Sequence, residues 1–255
     1  MITLDEIVVP GKRLGRHIEH DPRSLAHPFG VVVEAASLRT VHHRRYGAPF
    51  NQGNLGSCTG NAAAGAMNTA PFHRTGHLLD EKDAVALYEL ATTFDDSPGQ
   101  YPPDDTGSSG LAAAKALQTR SLISAYKHAF SVEEAVSALQ LTPVITGVSW
   151  YEGFDTPDSH GHVSVSGQVR GGHEFELIGF QHASSLEDSV VIAENSWGAN
   201  WGMAGRFNFT VATWRQLLAE QGRRHDPGEL DASRRTPEGD NAHQRASARQ
   251  RDRSS

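Results

Sequence analysis

The apolar pattern of this chain changes type near Pro143, and this change constrains its fold more than any other feature. Before it, alanine-rich or capped segments predict four helices, over 58–70, 82–94, 109–119 and from 131 onwards. After it, β-branched and aromatic residues in short runs predict strands at 144–150, 162–167, 175–180, 189–195 and 206–211. Helices followed by strands predict an α+β chain of two subdomains with a cleft between them.

The two ends of the chain differ in composition from its middle. Residues 1–48 hold few periodic apolar runs, and we expect an N-terminal extension of extended chain with one short strand at Val31–Val33. Residues 222–255 contain eight arginines, six acidic residues and one large apolar residue, Leu230. Such a segment cannot bury enough surface to offset its ordering entropy, so it is predicted to be a disordered tail. The domain that folds is expected over 49–221.

Charge and hydropathy exclude several classes of protein. A net charge of −7 and a pI of about 6.0 argue against a nucleic-acid-binding surface. No apolar run is long enough to span a membrane, and the N-terminus lacks the features of a secretory signal. The sequence therefore predicts a cytoplasmic monomer, with release by another route left open. No cofactor is expected, and no metal site either, because the histidine pairs 42–43 and 160–162 lack carboxylate or cysteine partners at ligand spacing.

Cys58 is the only cysteine, so an intramolecular disulfide is impossible. It ends the stretch Asn51-Gln-Gly-Asn-Leu-Gly-Ser-Cys58, in which a glycine-flanked turn leads into the first alanine-rich helix. The positive end of a helix favours the thiolate form of a cysteine, which is the form that attacks carbonyl groups. Cys58 is therefore a candidate nucleophile, and the alternative is a small buried structural residue.

Two later stretches offer partners for such a thiol. In 171–180, His173 stands at the head of a predicted strand, where a general base could face a cleft. In 195–205, Asn195 ends a strand and is followed by Trp197 and Trp201 among glycines. An asparagine can orient an imidazole by accepting its N–H, and the indoles could shield that bond from water. The alternatives are a structural histidine and a glycine-rich turn packed on tryptophan.

These stretches together resemble the papain-like cysteine peptidases. The features that carry the resemblance are Gln-Gly before Gly-Ser-Cys, then Gly-His, then Asn-Ser-Trp-Gly-x-x-Trp-Gly-x-x-Gly, in this order. The resemblance extends over about 52–209. The loop at 105–109, followed by Leu-Ala-Ala-Ala-Lys-Ala-Leu, resembles the bacterial and viral branch of that family.

The resemblance implies a papain-like fold, with a helical left subdomain, a β-barrel-like right subdomain and the active-site cleft between them. It implies that Cys58 is the nucleophile, that His173 is its partner in a resting thiolate–imidazolium pair, and that Asn195 orients His173. It further implies that the side-chain amide of Gln52 and the backbone N–H of Cys58 form an oxyanion hole. The implied reaction is peptide-bond cleavage through a thioester.

Five further residues are assigned to substrate binding: Gly107, Ser108, Gly172, Glu174 and Trp197. In the family, the backbone at the position of Ser108 pairs with an extended substrate. The residue after the histidine lines the pocket for the second residue before the cleaved bond, and here it is Glu174. A carboxylate in a partly apolar pocket favours a basic substrate side chain, unless Glu174 turns to solvent or to an internal partner such as Arg206.

The predicted function is that of a thiol endopeptidase acting on peptides or proteins. Alternatives are an isopeptidase or transpeptidase using the same residues on a dedicated substrate, and a peptide-binding module that has lost turnover. Thr59 stands where plant and animal members have tryptophan, which changes the primed side of the cleft. The 51 residues before Gln52 leave open whether an inhibitory prosegment is present.

Overall fold

Five α-helices and five β-strands form the part of the chain that the computed structural model describes, residues 1–223. The helices are α1 (Cys58–Met67), α2 (Glu81–Ala91), α3 (Gly110–Thr119), α4 (Val132–Leu139) and α5 (Val211–Arg223). The strands are β1 (Val41–His42), β2 (Val144–Tyr151), β3 (Val169–Gln181), β4 (Val190–Glu194) and β5 (Arg206–Thr210). None of these helices is long and apolar enough to cross a membrane. The predicted tail, apart from the end of α5, lies outside the described residues.

Helix α1 is built from small residues, and this allows close packing on every side. All ten of its residues are buried. A Cβ atom on Gly60 would lie 2.4 Å from the carbonyl oxygen of Ala84 in α2, and one on Gly65 would lie 2.6 Å from Oε1 of Glu176 in β3. Only glycine permits approaches this close. The helix that begins at Cys58 is thus wedged between α2 and the sheet.

The five strands form one antiparallel sheet centred on β3. Strand β3 pairs with β1, β2 and β4, and β5 pairs with β4. The β2 pairing places Val148 opposite His173 and Gly147 opposite Glu174. The sheet stays open, so a closed barrel does not describe it strictly, although the predicted α+β fold is confirmed.

Two hydrophobic cores lie on the two sides of α1. The helical core joins α1, α2 and α3 through Phe50, Leu87, Leu117 and a set of alanines. The second core packs α4 and α5 on the sheet, with Trp150, Phe175, Phe207 and Trp214 among its largest members. Burial of these side chains is the main source of stability for both halves.

Two predicted strands are wrong, and one helix was not predicted. Residues 31–33 form no strand, and Val31 and Val32 are 50% and 58% exposed. Residues 162–167 form a loop with a single bridge from His162 to Asn208. β-branched residues favour a strand only where a neighbouring strand supplies hydrogen bonds and cover. Residues from Val211 form α5 instead of continuing a strand, and Trp214 and Leu217 bury its inner face.

Candidate active site

Cys58 is the first residue of α1, at the junction of the helical core and the sheet. The turn before it is held by Asp105, whose carboxylate accepts from the backbone N–H of Gly56 at 3.0 Å and from the hydroxyl of Tyr88 at 2.7 Å. Because the helix N-terminus carries partial positive charge, a thiolate at this position is stabilised relative to one in mid-helix. The sequence prediction assigned no role to Asp105.

His173 and Asn195 form a buried hydrogen-bonded pair. Nε2 of His173 lies 2.7 Å from Oδ1 of Asn195, and the backbone N–H of Ser196 also donates to that oxygen, at 2.7 Å. With two donors directed at it, the atom facing His173 is the amide oxygen, so Nε2 carries the hydrogen. The lone pair of His173 is therefore on Nδ1, which has no hydrogen-bond partner among the described residues. This is the tautomer that a general base needs.

Aromatic rings enclose the imidazole of His173. The Trp197 ring centroid lies 5.2 Å away, and that of Trp150 lies closer, at 4.7 Å and edge-on. Trp201 packs against Trp197, not against the imidazole itself. Of the two tryptophans predicted to shield the site, Trp197 therefore contacts the histidine directly. The sequence analysis missed Trp150. Trp150 lies in β2 two residues beyond Val148, the residue opposite His173, and only the strand register shows that it is near the imidazole.

Three hydrogen bonds involve the side chain of Gln52. Two of them orient it, and the third uses the second hydrogen of Nε2. Its Oε1 accepts from the hydroxyl of Ser196 at 2.6 Å, and its Nε2 donates to the carbonyl oxygen of Leu55 at 2.8 Å. The second hydrogen of Nε2 is directed at the carbonyl oxygen of Leu14, 3.2 Å away. A carbonyl oxygen from the N-terminal region thus occupies the place where this amide could meet a substrate.

The groove beside Cys58 is filled by residues 13–17, which we call the cleft segment. On one side this segment pairs with Ser108. The N–H of His17 donates to the Ser108 carbonyl at 2.7 Å, and the N–H of Ser108 donates to the Gly15 carbonyl at 2.8 Å, which makes a parallel bridge. Gly107 lies under the segment, since a Cβ there would be 2.4 Å from the Gly15 oxygen.

On its other side the cleft segment meets Gly172, Glu174 and Trp197. The N–H of Arg16 donates to the Gly172 carbonyl at 3.0 Å, and Nε of Arg16 pairs with Oε2 of Glu174 at 2.9 Å. The indole N–H of Trp197 donates to the carbonyl of Arg13 at 3.0 Å. All five residues assigned to substrate binding therefore surround one stretch of extended chain, which is the chain's own.

Cys58 and His173 are both shielded from water. Both residues have no exposed surface. Burial raises the pKa of the Cys58 thiol and lowers the pKa of His173 to about 4, because each charged form loses its solvation. Both shifts favour the neutral thiol and the neutral imidazole, whereas the expected resting state is an ion pair. The physical reason is the burial of both groups.

The internal partner of Glu174 is Arg16, not Arg206. Arg206 pairs instead with Glu194, at 3.2 Å. Sequence reasoning did not single out Arg16, although a buried carboxylate after the histidine was a signal that a cation should lie nearby.

A second buried ionic group joins the sheet to α1. Arg45 contacts Glu176 at 2.9 Å and Glu194 at 3.0 Å, and Thr69, just beyond α1, donates to Glu176 at 3.0 Å. Burial raises the pKa of Glu176 to about 7, against the opposing effect of Arg45. Glu194 directly precedes Asn195, so this group holds the start of the turn at Asn195 in place.

Comparison with known proteins shows which solved structures share this fold. Xylellain, a cysteine protease from Xylella fastidiosa, superposes on 80% of this chain and 93% of its own, with a TM-score of 0.61 at 16% identity. The proCathepsin B S9 of Trypanosoma congolense covers 78% of this chain and 81% of its own, with a TM-score of 0.50 at 11% identity. At such identities the likeness establishes the fold. The chain therefore has a papain-like fold.

The sequence relatives of this papain-like chain carry names of the same kind. A cathepsin B-like protein, CP3, of Giardia intestinalis is 27% identical over 142 residues, 53% of this chain and 47% of that protein. A gut-specific cysteine proteinase of Caenorhabditis elegans is 34% identical over 102 residues, 39% of this chain and 30% of that protein. The chain thus spans half or less of these relatives in the aligned region. No protein-family model matches it.

Proposed function

We propose that this protein is a thiol-dependent peptidase that hydrolyses peptide bonds in peptides or proteins through a Cys58 thioester. The observation that carries the proposal is the grouping of four residues around one groove. Cys58 begins a helix beside it, Asn195 fixes the tautomer of His173, and Gln52 has an amide hydrogen directed into it. This grouping supplies a nucleophile, a base and an oxyanion donor.

The proposed reaction has two halves, formation of the thioester and its hydrolysis. In each half His173 first accepts a proton and then donates it. Nδ1 of His173 takes the thiol proton as the sulfur of Cys58 attacks the carbonyl carbon, and the oxygen becomes an oxyanion that Gln52 stabilises. The C–N bond then breaks, the leaving amine receives the proton from His173, and a thioester remains. Water attacks the thioester while His173 takes its proton, and the sulfur leaves and recovers that proton as a thiol.

In the covered arrangement we propose that the cleft segment holds the enzyme inactive. Leu14, which supplies the carbonyl at Gln52, has a fully buried side chain, and Ile18 beyond the segment is 1% exposed. These two anchors keep residues 13–17 in the groove that a substrate needs. Turnover therefore requires the segment to leave the groove, at least locally.

A thiol titration coupled to a peptidase assay tests the proposed function. The enzyme is the full-length chain with Gly15→Ala, the substitution described below that is expected to open the groove. A fluorogenic peptide amide is the substrate, and an epoxide inhibitor of thiol peptidases is added in rising amounts. Because the chain has a single cysteine, activity should fall to zero when one inhibitor molecule is bound per chain at Cys58. Binding of peptide without hydrolysis would contradict the peptidase and favour the peptide-binding module.

Gly15→Ala should activate the full-length chain. Gly15 has a φ of +117°, and a Cβ there would lie 2.1 Å from the carbonyl oxygen of Gly56. Backbone strain of about 1–3 kcal/mol and this overlap both act against the covered state. We expect the peptidase rate and the rate of Cys58 alkylation by iodoacetamide at pH 6 to rise at least about tenfold.

Gly11→Ala is the matched control for that substitution. Gly11 also has a positive φ, +72°, but a Cβ there meets nothing within 4 Å. It therefore adds similar local strain outside the cleft, and both rates should stay close to those of the unmodified chain. Equal rates for the Gly15→Ala variant and the unmodified chain would show that residues 13–17 do not restrict access.

A further inference from the structure

Beside the nucleophile lies a side-chain pocket that holds the guanidinium group of Arg16. Nε of Arg16 is 2.9 Å from Oε2 of Glu174, and the two side chains are 12% and 4% exposed. A charge-assisted hydrogen bond in such a buried place is stronger than one in water, and a buried carboxylate without a cation is costly. The pocket is therefore complementary to a cationic side chain.

Two glycines give this pocket its shape. A Cβ on Gly147 would lie 1.9 Å from Nε and 2.3 Å from Cδ of Arg16, and one on Gly110 would lie 2.3 Å from Oε1 of Glu174. Gly147 is the residue that β2 places opposite Glu174. Because glycine has no side chain, Gly147 leaves room for the end of Arg16 and Gly110 leaves room for the carboxylate of Glu174.

The pocket is next to the reacting sulfur. Glu174 follows His173 directly on β3. Burial raises the pKa of the Cys58 thiol, and the backbone N–H of Glu174 opposes that shift. Arg16 fills this pocket with its side chain. Its backbone N–H donates to the carbonyl of Gly172 on β3, the strand that carries His173. A substrate side chain bound in this pocket would therefore belong to a residue within one or two positions of the cleaved bond.

We propose that this pocket selects arginine at the second residue before the cleaved bond, that Glu174 is the residue responsible, and that Arg16 is the chain's own occupant of the same site. This inference rests on the proposed peptidase function. When the cleft segment leaves, Glu174 loses its cation, and a substrate arginine restores it. Lysine is a poorer fit, since its ammonium group is compact and strongly hydrated, whereas the planar guanidinium presents an N–H along its stem.

The test compares two fluorogenic peptide amides that are identical except for arginine or citrulline at this position. Citrulline has the shape of arginine without its charge. The enzyme is the full-length Gly15→Ala chain, with Glu174 or with Glu174→Gln. The measured quantity is the ratio of the two kcat/KM values, because any remaining occupancy by Arg16 lowers both values by the same factor.

With Glu174 present, we expect arginine to be favoured over citrulline at least about tenfold, the size of a buried charge-assisted hydrogen bond. In Glu174→Gln the ratio should fall to about one, since both side chains then face a neutral amide. Hydrolysis of both substrates with equal kcat/KM in the Glu174 enzyme would overturn the specificity and leave the peptidase function intact. Hydrolysis of neither would instead overturn the proposed function.

A binding measurement decides the point without turnover and without a substitution in the pocket. A synthetic peptide with the sequence of residues 12–18, KRLGRHI, is added to the Gly15→Ala chain, and alkylation of Cys58 is followed. The control peptide has citrulline at the position of Arg16. The arginine peptide should protect Cys58 at a concentration at least about tenfold lower. Equal protection by both peptides, or none by either, would show that the pocket does not read the charge.

Discussion

We expect Cys58→Ser to lower kcat/KM for peptide hydrolysis by about a thousandfold or more in the Gly15→Ala chain. The serine side chain can occupy the same buried position at the start of α1. An alcohol is far less acidic than a thiol, so the imidazole of His173 cannot activate it to a comparable degree. The measurement is steady-state hydrolysis of a fluorogenic peptide amide.

The melting temperature of Cys58→Ser controls for misfolding. Serine is smaller than cysteine and buries a hydroxyl at this position, so we expect the free energy of unfolding to fall by about 1–3 kcal/mol without loss of the fold. Thr59→Ser, one residue further along α1 and also buried, is the matched variant that leaves the thiol untouched. Residual hydrolysis within about tenfold of the parent enzyme would exclude Cys58 as the nucleophile.

We expect Gln52→Ala to lower kcat by about 10²–10³-fold in the same background, with a smaller effect on KM. The reason is the single hydrogen of Nε2 that remains after the bond to Leu55 is made. This hydrogen binds the Leu14 carbonyl in the covered state, and an oxyanion should take its place during the reaction. A donor fixed in advance stabilises the transition state more than the bound substrate.

Alkylation of Cys58 separates this role from a structural one. Iodoacetamide reacts with the thiol without forming an oxyanion, so Gln52→Ala should leave the alkylation rate unchanged while kcat falls. Ser196→Ala, which removes the donor to Oε1 of Gln52, should lower kcat less, because the Leu55 contact still orients the amide. A parallel loss of alkylation and hydrolysis would mean that Gln52 supports the loop and not the transition state.

The covered cleft accounts for two features that would otherwise conflict. The residues around Cys58 have the arrangement of a reactive thiol site, yet burial raises the pKa of Cys58 and lowers that of His173. Both shifts have the same main cause, which is the loss of solvation on burial. Opening the cleft restores solvation, and the charged thiolate–imidazolium pair then becomes more favourable relative to the neutral one.

The sequence alone predicted the four residues of the candidate site. Cys58, His173, Asn195 and Gln52 stand in motifs that depend on local geometry: a glycine turn into a helix, a histidine on a strand, and an asparagine at a strand end. Helix and strand periodicity located α1 to α4 and most of the sheet, because these patterns report on neighbours within a few residues. Local patterns of this kind can be recognised without knowing which surface the segment packs against.

Only the tertiary structure decided what fills the groove and which partner each buried charge has. Arg16 and Glu174 are separated by 158 positions, and no periodicity connects them. The cleft segment has neither helical nor strand repeats, since its backbone hydrogen bonds go to Ser108 and Gly172 instead of to its own neighbours. Residues 31–33 have a strand-like sequence but form no strand. A strand forms only where a neighbouring strand accepts and donates its hydrogen bonds, and the whole fold decides where such a neighbour lies.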